Sequence, residues 1–223
     1  MNMVSLDDVL ADALASLENV EDGIGLDEKT AALVDLAVRV SVTTLDVDGV
    51  KSCTERALDA GASAEQVHEA VVLVSGLGVH SLMEGSRRVA EVLRERHTPA
   101  MVEPLDEGRQ KLWAKYVGTD RYWDAMEKEV PGFLDALLRL SPEAFEAFFI
   151  YCAVPWKTAA LPALDKELIS MAVDATPTHR YLPGMRLHLD NAIRLGAGRT
   201  VILETLELAA GAPPHLGVRR APR

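Results

Sequence analysis

The chain repeats itself. At an offset of 135 residues, positions 33–80 run alongside 168–215 without a gap. Leu33 meets Leu168, Ala37 meets Ala172, Val38 meets Val173, Thr43 meets Thr178, Gly49 meets Gly184 and Ala57 meets Ala192. Beyond them Gly61-Ala62 meets Gly196-Ala197, Glu69 meets Glu204, Leu73 meets Leu208, Gly76 meets Gly211 and His80 meets His215. Like units tend to bury their apolar faces on one another, so the repeat predicts two similar halves packed about a pseudo-two-fold axis. It is also an internal control: where the copies differ chemically, function is expected in one and not in the other.

Composition narrows the partners. A net charge of −11 opposes nucleic-acid binding, because a phosphate backbone rewards clustered Lys and Arg. The longest apolar run, Ala70 to Met83, is too short to span a bilayer and is broken by Ser75, glycines and His80. The N-terminus lacks a basic, hydrophobic leader, and the two cysteines, Cys53 and Cys152, make no disulfide framework. The expected setting is the cytoplasm, with a small-molecule substrate, no nucleic acid and no membrane.

Almost every segment carries helical periodicity, and clean alternation and hairpin dipeptides are missing, so the expected fold is all-α. Helices are predicted for Leu6–Leu17, from Asp27, over Val50–Ala60, from Ser63, over Ser81–Glu95, Arg109–Met126 and Phe133–Leu140, and from Ser141. In the second copy they are predicted for Asp165–Ala175, Met185–Leu195 and Thr200–Ala210. Gly61 and Gly196 are placed to end helices in the left-handed conformation. The domain reading is 1–98 for the first repeat, 99–108 for a proline-bearing linker, and 109–223 for the second repeat with extra N-terminal helices.

The pattern of long helix, irregular loop, short helix, Gly-Ala and long helix resembles the carboxymuconolactone decarboxylase and alkylhydroperoxidase D-like superfamily. The residues that carry the resemblance are Asp165-Lys-Glu-Leu-Ile-Ser-Met-Ala-Val173, Thr178-His179, Pro183-Gly184, His188 and Ala192-Ile-Arg-Leu-Gly-Ala197. Val154-Pro-Trp-Lys157 and Leu77-Gly-Val-His-Ser81 add to it. The chain looks like a cysteine-free tandem-repeat member, in that the family's Cys-x-x-Cys positions hold Asp46 and Gly49 in copy one, and Tyr181 and Gly184 in copy two. Cys53 stands where the resemblance places a histidine. Thiol peroxidase chemistry needs an activated thiol and a resolving partner, and neither is in place.

His188 shares a helical face with Met185, Ala192 and Ile193, which turns it inward, where an imidazole suits acid–base work. A core histidine bonded to a backbone carbonyl is the competing reading. Glu167 stands where the resemblance places a functional acid, and its counterpart in copy one is Ala32; it reads equally as a solvated first-turn acid. His179, Arg180 and Tyr181 lie in a loop between prolines, opposite the chemically blunted Thr44, Leu45 and Asp46. Arg180 and Arg186 are candidates to hold a substrate carboxylate, or else are exposed cations. Trp156 is a candidate pocket wall or core residue, and His215 a cleft-lining one. Glu167, His179, His188 and His215 match no standard zinc spacing, so no metal is expected.

These readings predict a cofactor-independent acid–base enzyme, decarboxylase-like, acting on a small carboxylated or lactone-type metabolite. His188, Glu167, His179 and Tyr181 would be catalytic, and Arg180, Arg186, Trp156 and His215 substrate-binding. A non-catalytic helical assembly protein is the alternative, and an alkylhydroperoxidase-like antioxidant enzyme a disfavoured third. The short stretch after His215 leaves copy two without the helix that follows His80, so a homo-oligomer is expected.

Overall fold

The computed structural model describes Ala15 and residues 17–213. Most of the helix expected over Leu6–Leu17, as well as His215, lies outside the described residues. Among those described, every regular element is a helix. By chain contacts they divide into two compact units.

One unit joins the chain up to Leu77 with the chain from Thr158 onward. It holds α1 (Glu28–Val40), α2 (Val47–Asp59) and α3 (Ala64–Leu77). The other unit, Gly78–Lys157, holds α4 (His80–Glu95), α5 (Pro99–Val102), α6 (Glu107–Tyr116), α7 (Arg121–Glu129), α8 (Phe133–Leu140), α9 (Pro142–Cys152) and α10 (Val154–Lys157). The first unit then resumes with α11 (Ala163–Ala175), α12 (Leu182–Arg194) and α13 (Arg199–Ala210). This corrects the division at 99–108. The repeated segments share one apolar core, and the chain between them forms the second unit. The expected linker contains α5, because Pro99 sits in the first turn, where its missing N–H costs nothing.

Helices α1, α2 and α3 recur as α11, α12 and α13, and so do their joints. Leu45 and Arg180 both take positive φ, +46° and +51°. Asp46 N donates to Arg39 O (3.0 Å) as Tyr181 N donates to Asp174 O (2.9 Å). Gly61 and Gly196, at +89° and +94°, turn the chain so that the next amides, Ala62 N and Ala197 N, reach back to Ala57 O and Ala192 O, each at 2.9 Å. Ala37, Ala57, Ala172 and Ala192 are completely buried, and their small side chains let these helices approach closely.

Helix α11 is buried on every side, from Lys166 to Ala175 without interruption. Leu168, Ile169, Met171 and Val173 contribute apolar surface, each side chain stabilising by roughly 2 kcal/mol. The same stretch also buries Lys166, Glu167, Ser170 and Asp174. Charges inside a core are retained only with partners, so α11 is where function is to be sought.

Several helix boundaries differ from expectation, among them the start of α2 at Val47 rather than Val50. The segment Arg109–Met126 is two helices, because Gly118 turns the chain at φ +52° and Asp120 caps the second by accepting from Tyr122 N. Helix α12 begins at Leu182 rather than Met185, since Pro183 is accommodated within the first turn.

The Gly78–Lys157 unit has its own core. Phe148 packs edge-on against both Phe133 and Phe149, and Tyr116 stacks on Phe149 at 5.0 Å. Ala90, Met101 and Ala136 form a smaller apolar cluster in that unit. No helix among the described residues is long and apolar enough to cross a membrane.

Candidate functional site

Glu167 and His188 meet across α11 and α12. Glu167 Oε2 lies 2.6 Å from His188 Nδ1, and Asn191, one turn further along α12, donates from Nδ2 to Glu167 Oε1 at 3.2 Å. Glu167 is 6% exposed and His188 7%, so the bland alternatives, a solvated acid and a histidine bonded to a backbone carbonyl, do not describe them. Burial alone would push the imidazole pKa down. The hydrogen bond and charge of Glu167, with the charge of Asp174, outweigh that and hold it above its usual 6.5. The pair therefore favours an imidazolium whose Nδ1 is engaged, leaving Nε2 as the group able to move a proton.

In the loop that joins α11 to α12, His179 Nε2 stands 3.4 Å from Asp174 Oδ1. The ring of Tyr181 is 6.3 Å from that of His179, and Tyr181 is itself buried. Arg180 is half-buried on its positive-φ backbone, and Arg186 is exposed on α12. Trp156 is 41% exposed on α10 and belongs to the Gly78–Lys157 unit. His179 is turned to Asp174, so Glu167, His179 and His188 do not gather as three ligands on one point.

Copy one is not chemically blunt, contrary to the reading of its loop. Asp35, one turn beyond Ala32, accepts from Arg56 Nη2 (2.7 Å), from Arg39 Nε (3.0 Å) and from the Cys53 thiol (3.4 Å). Arg39 also donates to Asp46 at 2.6 Å, and Asp46 caps α2 through Gly49 N. Cys53 and Arg56 thus face an acid on α1 much as His188 and Asn191 face one on α11. The sequence signal was an i, i+3 pair on one helix with an acid on the preceding one; charged residues on amphipathic helices hide it. Burial, then Asp35, pushes the Cys53 thiol up, and burial takes Cys152 to about 11. Both cysteines are free, so the chain is cysteine-free only at the Cys-x-x-Cys positions, and neither thiol is set up for attack.

A cleft of about 600 Å³ opens elsewhere in this unit, bounded by Glu21, Asp27, Leu164, Asp165, Ile193 and Val201 among others. Neither His188 nor Glu167 lines it.

No family model and no curated protein matches the sequence. Among solved structures, the chain is similar to a provisionally named gamma-carboxymuconolactone decarboxylase subunit from Burkholderia xenovorans LB400. The two share 38% identity over 82% of this chain and 71% of that one, with a TM-score of 0.68.

Proposed function

The chain belongs to the carboxymuconolactone decarboxylase family, and on that premise we propose that it is a cofactor-independent acid–base decarboxylase of a small carboxylated, lactone-type metabolite. The observation that carries this reading is the buried contact of His188 Nδ1 with Glu167 Oε2 at 2.6 Å.

In the proposed step the bond between the substrate ring and its carboxylate breaks and carbon dioxide leaves. The electron pair passes into the conjugated lactone as a dienolate, and the imidazolium of His188 protonates the carbon chain. One proton is consumed per carbon dioxide released, and the imidazole regains it from solvent. Glu167 fixes the ring and favours its charged form, which a general acid requires. Arg180 and Arg186 are the cations proposed to hold the anion, with His179 and Tyr181 assisting. Self-association is proposed as well; Val42 and Val47, 68% and 71% exposed, are apolar surface a second copy would cover.

The test is turnover. Purified protein is incubated with γ-carboxymuconolactone while carbon dioxide release and substrate loss are followed. Wild type should turn over, and His188→Ala and Glu167→Gln should each lose roughly 100-fold or more while remaining folded. A folded wild-type protein inert toward this and related unsaturated lactone acids would overturn the reading and leave the non-catalytic assembly protein in its place.

A further inference from the structure

The two copies place a carboxylate at the same point by different means. A Cβ built on Gly49 would lie 2.1 Å from Asp46 Oδ2; one built on Gly184 would lie 2.1 Å from Asp174 Oδ2. Each glycine is in the first turn of its helix, α2 or α12, and each is required because an acid already fills the space a side chain would take. In copy one that acid is the helix's own cap, and Arg39 neutralises it. In copy two the cap position is Tyr181, and the residue at Arg39's place is Asp174 itself (174 − 135 = 39). The acid has moved from α2's cap to the end of α11, and it stands at the position that the arginine holds in copy one.

We propose that Asp174 is a positioning residue of the second-copy site, its carboxylate lodged against the first turn of α12 and holding the ring of His179. This rests on the reading that Glu167 and His188 are the working pair. Asp174 is completely buried, so it acts through the imidazoles and not on substrate. A buried carboxylate at the positive end of a helix is stabilised there. The carboxylates acting on His188 are Glu167 and Asp174, both from α11. The charge of Asp174 acts on His188, and its Oδ1 stands 3.4 Å from His179 Nε2.

Histidine ring resonances of the full-length protein, assigned with His179→Gln and His188→Gln, test this without needing substrate. Asp174→Asn keeps the shape and removes the charge. It should shift the His179 Nε2 resonance and lower the titration midpoint of His188. Gly184→Ala keeps the charge but drives a methyl group into the carboxylate, and should displace the His179 resonance too; it decides the matter if Asp174→Asn does not fold. Unchanged His179 and His188 resonances in a folded variant overturn the proposal. With γ-carboxymuconolactone, Asp174→Asn should lower kcat about 10-fold with KM within about two-fold. A wild type that does not turn over refutes the decarboxylase reading and leaves the resonances to decide Asp174.

Discussion

Glu69 and Glu204 do the same work in opposite directions. Glu69, on α3 of copy one, accepts from Leu161 N (2.7 Å) just ahead of copy two's α11. Glu204, on α13 of copy two, accepts from Leu26 N (2.5 Å) just ahead of copy one's α1. Since 26 + 135 = 161 and 69 + 135 = 204, each repeat holds the entry of the other by an equivalent bond. The copies differ in what else the acid meets: Glu69 also accepts from Thr158 Oγ1 and pairs with Lys166 Nζ at 3.1 Å, and both charges are buried.

That difference sets a stability contrast. Glu69→Ala leaves Lys166 charged and buried, and should cost about 3–5 kcal/mol. Glu204→Ala removes a half-buried bond and should cost about 1–2 kcal/mol. Urea unfolding of the two variants measures the gap; equal losses would show that the lysine pair contributes nothing.

Ser170 lies on α11, completely buried, with no hydrogen bond to its hydroxyl. Its counterpart in copy one is Asp35, which anchors three donors. Replacing an unsatisfied hydroxyl with a methyl group in a helix should cost nothing, so Ser170→Ala should gain up to about 1 kcal/mol. A loss in the denaturation midpoint would mean that the hydroxyl has a partner.

Stability should fall on both sides of mildly acidic pH. Burial tends to raise the Glu69 pKa, but hydrogen bonds from Thr158, Lys166 and Leu161 prevail and hold it below its usual 4.5. Its contribution is present above the unfolded value and disappears as pH falls through the folded one. The His188 pKa is raised, so its contribution is complete below 6.5 and disappears as pH climbs through the higher folded value. Thermal unfolding across pH should lose the alkaline limb in His188→Gln and keep the acidic one.

Leu45 and Arg180 hold left-handed backbone at matching loops. Relief of a non-glycine residue there is worth about 1–2 kcal/mol, offset in part by the freer unfolded chain. Leu45→Gly should therefore raise the melting temperature by a few degrees without touching turnover. Arg180→Gly should stabilise similarly while weakening substrate binding, seen as a higher KM.

The helices were legible because caps and apolar spacing act locally: Gly61, Gly196, Ser141-Pro142 and the stripe on α1 lie where the sequence places them. The contrast of Glu167 with Ala32 pointed to the acid that meets His188. Asn191, Asp174, Asp35 and Arg56 are not legible in the sequence, since each acquires meaning only from a neighbour on another helix, and a charge on an amphipathic helix reads as solvated. The repeat pointed to the packing of α1–α3 with α11–α13, whereas the separate Gly78–Lys157 unit was hidden, because unit membership depends on packing between segments far apart in the chain.

The all-round burial of α11 has a consequence for the order in which the protein is made. Leu33, Leu36 and Ala37 of α1 belong to the same core as Leu168, Met171 and Ala172, which lie about 135 positions later in the chain. At roughly 5–20 residues per second, the ribosome takes about 7–27 seconds to cover that distance. During this interval the emerged first repeat carries an uncovered apolar face, while Gly78–Lys157 can assemble its aromatic core. Slowing synthesis between residues 78 and 157 should therefore increase aggregation or chaperone demand, and supplying residues 158–223 in trans should relieve it.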